Sequence, residues 1–215
     1  MTSAFLSDHL LILVMLINFA LLGTSRLAFS VRMVAVQGVI LGVLPAILNP
    51  LSFHLLAIMT GILAIKGVLI PRLISTAIKK AGIKRDEQPY LGFGGTLLCG
   101  ALFTALAFWF SPRLPLVDAH QGHLFVPASI ATLLTGFLLL TTRRKAISQV
   151  TGYLVLENGI FVFGLLLTEA MPVMVEAGAL LDLLVGIFVM GIVIGHISRE
   201  FGSLDTSHMT ALREK

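Results

Sequence analysis

The chain has 215 residues, of which 57% are hydrophobic and only 12% charged, with a mean hydropathy of +0.98. That balance excludes a soluble globular domain and points to an integral membrane protein. The net charge of +4 needs no nucleic acid to explain it, and the single cysteine, Cys99, excludes an iron–sulfur cluster, a CxxC pair or an internal disulfide within the chain.

Apolar runs of about 18 to 26 residues recur near 4–22, 29–49, 53–78, 91–110, 125–142, 146–168 and 172–197. At 1.5 Å per residue each reaches across a hydrocarbon core about 30 Å thick, so the fold class is all-α: a polytopic membrane protein of about seven transmembrane helices. The first run has no basic segment before it and is followed by Arg26 rather than a small-residue cleavage site, so it reads as a retained helix and the chain is expected to start near Met1. Breaks at Asn49-Pro50 and at Arg143-Arg144-Lys145 end helices, because Pro and clustered cations are poor in hydrocarbon. The organisation read from this map is an N-terminal three-helix unit (1–78), a cytoplasmic loop with the fourth helix and an outer loop (79–124), a C-terminal three-helix unit (125–198) and a cytoplasmic tail (199–215). The two triplets share a weak parallel repeat in which Gln37 and Lys66 answer to Glu157 and Asp182.

Threading seven crossings places thirteen of the fifteen Lys and Arg on one face, leaving Arg113 opposite and Lys66 inside the membrane. The positive-inside rule then puts the N-terminus outside and the C-terminus in the cytoplasm.

Three ionisable residues sit within apolar runs. Translocon scales set each at roughly 3 kcal/mol at a helix centre, so Lys66, Glu157 and Asp182 are the candidate site, a proton or ion path. Lys66 is collared by Ile62, Leu63, Leu69 and Ile70 and must face protein or buried water; Pro71, five residues on, deletes the backbone bond to Gly67 and is expected to kink the helix. Glu157 lies halfway along helix six, where a carboxyl either exchanges protons or pairs with a cation. Asp182 has Gly178 and Gly186 one turn to either side, leaving room for water or a neighbouring helix. The glycines at 38 and 42 have the spacing of a close helix approach. The histidines lie near helix ends or in loops, His120 and His123 offer two metal ligands at most, and Gly92-Phe-Gly94-Gly95 lacks the context of a phosphate loop. No nucleophile–base constellation stands out, so no catalytic centre is expected in this chain.

Arg143-Arg144-Lys145, the stretch Gly152 to Gly159, Asp182-Leu-Leu-Val-Gly186 and the tail from Gly202 resemble the hydrogenase-4 component E family, and the likeness includes Lys66 and Pro71. Helices five to seven are also similar to the K subunit of complex I and the C subunit of multisubunit cation/proton antiporters. Asp182 matches the K subunit's second carboxylate position with Asp for Glu; at the first, Leu154 stands where the family has Glu, and Glu157 lies three residues later, on the same helix face. The resemblance implies a noncatalytic subunit of a complex I-like membrane-bound hydrogenase or related redox complex in a bacterial or archaeal cell (inner) membrane, contributing to proton or sodium translocation. Nickel–iron and iron–sulfur centres would reside in partner subunits, beside antiporter-like membrane subunits. On this reading Glu157 and Asp182 pass protons laterally, with Lys66 as a movable positive charge. The alternatives are a scaffold whose buried charges lock helices together, a subunit of a multisubunit cation/proton antiporter, or an autonomous transporter.

Overall fold

In hydrocarbon each backbone N–H and C=O must find its partner within the segment, so long apolar runs have little choice but helix. The computed structural model describes residues 2–48, 52–82, 85–86, 90–114 and 124–167. It comprises α1 (Thr2–Leu22), α2 (Leu27–Leu48), α3 (Phe53–Ile62), a π-helical segment (Leu63–Leu69), α4 (Ile70–Ala81), α5 (Phe93–Phe110), a short 3-10 turn (Ser111–Arg113), α6 (Phe125–Thr142) and α7 (Ala146–Leu167). Among the described residues there is no strand, and the one β-type contact is an antiparallel bridge between Arg26 and Arg85.

The α3, π and α4 pieces follow one another without a break as one membrane-length rod, giving six helices long and apolar enough to cross a bilayer. The chain is a multi-pass membrane protein. These six coincide with the first six predicted runs to within a few residues at their ends; the seventh, near 172–197, lies outside the described residues.

The core is built where α1, α2, α6 and α7 meet, with Leu11, Val14, Leu21, Leu41, Val126 and Val155 almost wholly buried. α6 and α7 lie close enough that a Cβ on Gly159 would stand 2.5 Å from the Leu133 backbone nitrogen. α2 approaches the π segment in the same way: a Cβ on Gly38 would meet the Lys66 Cβ at 2.9 Å, and one on Gly42 the Leu63 side chain at 3.0 Å, which is the use expected of that glycine pair. The outer helices are far barer. About two thirds of the α6 span is buried (67%), against 6% of the α3–α4 span and 17% of α5.

Pro71 stands in the first turn of α4 and has no N–H to donate. The expected distortion takes the form of a widened turn, in which the Ile70 N–H reaches back five residues to the Ile65 carbonyl. Lys66 lies at the middle of that π segment. At the end of α4 the chain reverses through Gly82, at φ +65°, a left-handed conformation suited to glycine.

One end of the bundle, where α1, α4 and α6 stop and α2, α5 and α7 start, gathers Arg26, Lys79, Arg85, Arg143, Arg144 and Lys145. At the other end Arg113 stacks on Trp109, 3.4 Å from its ring centroid.

Candidate functional site

Lys66 and Glu157, singled out for being costly in a membrane, meet. The Lys66 Nζ stands 2.7 Å from Glu157 Oε1, with the two side chains 14% and 3% exposed. At an effective dielectric of about 20, a contact at that distance returns about 6 kcal/mol of Coulomb energy, comparable to the roughly 3 kcal/mol each charge costs to insert. One turn further along α7, Phe161 places its ring under the ammonium, 5.3 Å from Nζ to centroid.

From the lysine a row of amides crosses the bundle. Lys66 Nζ donates to Asn158 Oδ1 (3.3 Å), Asn158 Nδ2 to Gln37 Oε1 (3.2 Å), Gln37 Nε2 to Asn18 Oδ1 (2.9 Å) and Asn18 Nδ2 to Thr132 Oγ1 (2.8 Å). The row joins the π segment, α7, α2, α1 and α6. Its direction follows from its first member: an ammonium only donates, so Asn158 must turn its oxygen toward Lys66 and its nitrogen away, and each later amide inherits that choice. All three carbonyl oxygens therefore point back toward the cation, and the bonds polarise one another in the same sense. Glu157 Oε2 is the exception in this region, buried and without a hydrogen-bond partner among the described residues.

A cavity of about 10 Å³, the size of one water, opens beside Lys66 and is lined by Lys66, Asn158, Leu154, Thr151, Ile70 and Pro71 among others, but not by Glu157. Leu154 thus lines the cavity one turn from Glu157.

The structure brings together Lys66 and Glu157 of the three predicted site residues; Asp182 lies outside the described residues. Gln37 was in view from the sequence and Asn158 lay within the stretch Gly152 to Gly159, but Asn18 and Thr132 were not in view. Asn18 had a signal, as the lone amide in the otherwise apolar stretch 10–22. Among the described residues no three His, Cys, Asp or Glu side chains gather as metal ligands.

Arg143, expected only as one of the face's cations, is 3% exposed. Its Nη2 donates to the Leu22 carbonyl (3.0 Å) and the Leu21 carbonyl (3.4 Å), closing the C-terminus of α1, and its guanidinium lies 4.8 Å from the Phe93 ring centroid. Burial holds this guanidinium below its ordinary pKa, while the nearby Asp86 carboxylate pushes it back up.

No protein-family model matches the chain, and no solved structure matches it. The uncharacterized protein Rv0085 of Mycobacterium tuberculosis is 33% identical over 189 residues, covering 86% of this chain and 85% of that protein. Hydrogenase-4 component E of Escherichia coli (strain K12) is 27% identical over 217 residues, covering 99% of this chain and all of that protein, and component E of Shigella flexneri matches to the same extent.

Proposed function

Because the chain belongs to one family with the mycobacterial protein and is hydrogenase-4 component E-like along its length, we propose that it is a noncatalytic membrane-arm subunit of a hydrogenase-type, complex I-like redox complex. In that complex it takes part in moving protons coupled to electron transfer. The observation that carries this reading is the Lys66–Glu157 pair: a buried ion pair at 2.7 Å with one carboxylate oxygen left unpartnered among the described residues.

The pair has the parts a proton relay uses. A proton taken up at Glu157 Oε2 converts the carboxylate to the acid and strips Lys66 of its counter-charge, while Asn158 and the amide row behind it still hold the ammonium. The freed positive charge then favours loss of a proton from the next acid along the path. On the family resemblance that acid is Asp182. The N-terminus lies outside and the C-terminus in the cytoplasm, so the basic end of the bundle is the cytoplasmic one. Antiporter-like membrane subunits flank the chain, and nickel–iron and iron–sulfur centres belong to partner subunits.

Glu157→Gln keeps the shape and a hydrogen-bonding head but cannot carry a proton. In vesicles containing the assembled complex, coupled proton pumping falls at least about tenfold; full pumping by an assembled complex overturns the relay.

A second reading, the scaffold, is favoured by how completely the amide row is satisfied. On it the ion pair only locks the outer helix to α7. Replacing both partners by apolar residues, as Lys66→Met with Glu157→Leu, separates the two readings, since a pure lock survives the exchange with pumping intact.

A further inference from the structure

A second polar cluster lies at the basic end of the bundle, away from the relay pair. Asp86, in the connection between α4 and α5, is tied to the α1–α2 turn by its backbone N–H on the Ser25 carbonyl (2.9 Å) and by the neighbouring Arg26–Arg85 bridge. Its carboxylate is 2% exposed, yet neither oxygen has a hydrogen-bond partner among the described residues. The same holds for the Nη1 of Arg143 and the hydroxyl of Ser148, both buried. Of the buried side-chain polar atoms without partners among the described residues, all except Glu157 Oε2 belong to these three residues.

They share one cavity. Asp86, Arg143 and Ser148 line a space of about 20 Å³, together with Ser25, Ser30 and Thr151. Thr151 also lines the cavity beside Lys66 and Asn158. The first space holds one or two waters and the second about one. Buried polar groups in folded proteins are hydrogen-bonded, and an unsolvated carboxylate is the costliest of them, so a pocket that leaves a carboxylate, a guanidinium nitrogen and a hydroxyl to face one another needs water to satisfy them.

We propose that Asp86, Arg143 and Ser148 form a water-filled proton-access basin at the basic face, which feeds the Lys66–Glu157 pair past Thr151. The proposal rests on the relay reading above and adds its source of protons. Asp86 takes a proton from water on the basic side onto one carboxylate oxygen and passes it to water in the basin; hydrogen-bond exchange then carries it past the Thr151 hydroxyl to the cavity at Lys66. There the ammonium hands one of its protons to Glu157 across the 2.7 Å contact and takes the arriving one. Arg143 keeps one nitrogen fixed on the end of α1 and turns the other to the basin, so it orders water there without leaving its post. The basic groups around the mouth, Arg26, Arg85 and Lys145, repel hydrated cations other than the proton, whose charge moves by bond exchange. Lys145 is itself tied back to the Arg85 carbonyl.

The test reads water access directly. In a Cys99→Ala background, Ser148→Cys, Thr151→Cys and Val155→Cys are compared in vesicles containing the assembled complex, using the membrane-impermeant anion methanethiosulfonate ethylsulfonate. Val155 is fully buried on the same helix and lines neither cavity. Cysteines at 148 and 151 are expected to label about tenfold faster than the one at 155, from the basic side only; equal rates at all three overturn the basin. In the same vesicles Asp86→Asn slows coupled proton uptake several-fold and Asp86→Glu restores it, whereas uptake unchanged in Asp86→Asn removes Asp86 from the path. Failure here is distinguishable from failure of the relay: slow labelling with pumping lost in Glu157→Gln sinks the basin alone, and fast labelling with pumping intact in Glu157→Gln sinks the relay.

Discussion

Between Lys66 and Thr132 the ammonium and each amide nitrogen meet an acceptor at 2.8 to 3.3 Å, whereas around Asp86, Arg143 and Ser148 four buried polar atoms meet none among the described residues. Both regions are buried and both are polar, but they are built for different conditions. The amide row finds its partners in protein, which suits a structure that must hold a charge at a fixed place in a low dielectric. The basic-end cluster leaves its groups unmatched across a cavity, which suits a structure that exchanges with solvent. Glu157 stands between the two styles, with Oε1 committed to Lys66 and Oε2 free.

The sharpest way to break this contrast is to remove one charge from the region of the amide row. Lys66→Met leaves Glu157 alone and buried and should cost about 3–5 kcal/mol, seen as a lowered thermal midpoint of the detergent-solubilised complex, while adding Glu157→Leu recovers most of the stability but not the pumping. Next comes geometry. Gly38→Val drives a side chain into the Lys66 stem, where a single Cβ already stands at 2.9 Å, and should cost about 1–3 kcal/mol while loosening α2 from the π segment. Gln37→Leu cuts the amide row at its middle and strands a nitrogen of Asn158 and an oxygen of Asn18; hydrogen bonds between membrane helices average about 0.6 kcal/mol with a maximum near 1.7, so a loss of about 1–2 kcal/mol is expected in the same melt. Smallest is Ser148→Ala. Its hydroxyl has no partner among the described residues to strand, so the change should lie within about 0.5 kcal/mol, and a loss as large as that of Gln37→Leu would show that the hydroxyl is bonded within the protein rather than facing water.

The membrane spans were legible because length and charge decide them: an apolar run bounded by Arg, Lys or Pro has one stable form in lipid. Lys66 and Glu157 were legible for a related reason, since a charge in such a run must be matched. Which residue matches it is a question of helix rotation, and in a bundle whose helices are apolar on all sides no periodicity reports that rotation. Asn18 and Thr132 were therefore hidden, as an amide and a hydroxyl cost too little in a helix to advertise a partner. Asp86 and Arg143 were hidden by the opposite error. Loop charges are ordinarily solvated, and nothing in the local sequence announces that the α4–α5 connection folds onto the α1–α2 turn. Pro71 announced a disturbance but not its form.

That form has a geometric consequence. A widened turn offsets the helical phase by about one residue, or about 100°, so α3 and α4 belong to one rod but to two different registers. With the offset in place α4 turns Ile74, Ala77 and Ile78 into the protein and keeps Arg72, Thr76 and Lys79 outside. Forcing ordinary pairing at full length would swing that whole apolar stripe toward lipid, whereas deleting one residue between Leu63 and Leu69 would remove the widened turn and leave the stripe facing the protein. The segment around Lys66 is thus a phase joint, and the lysine sits at the place where the rod changes register.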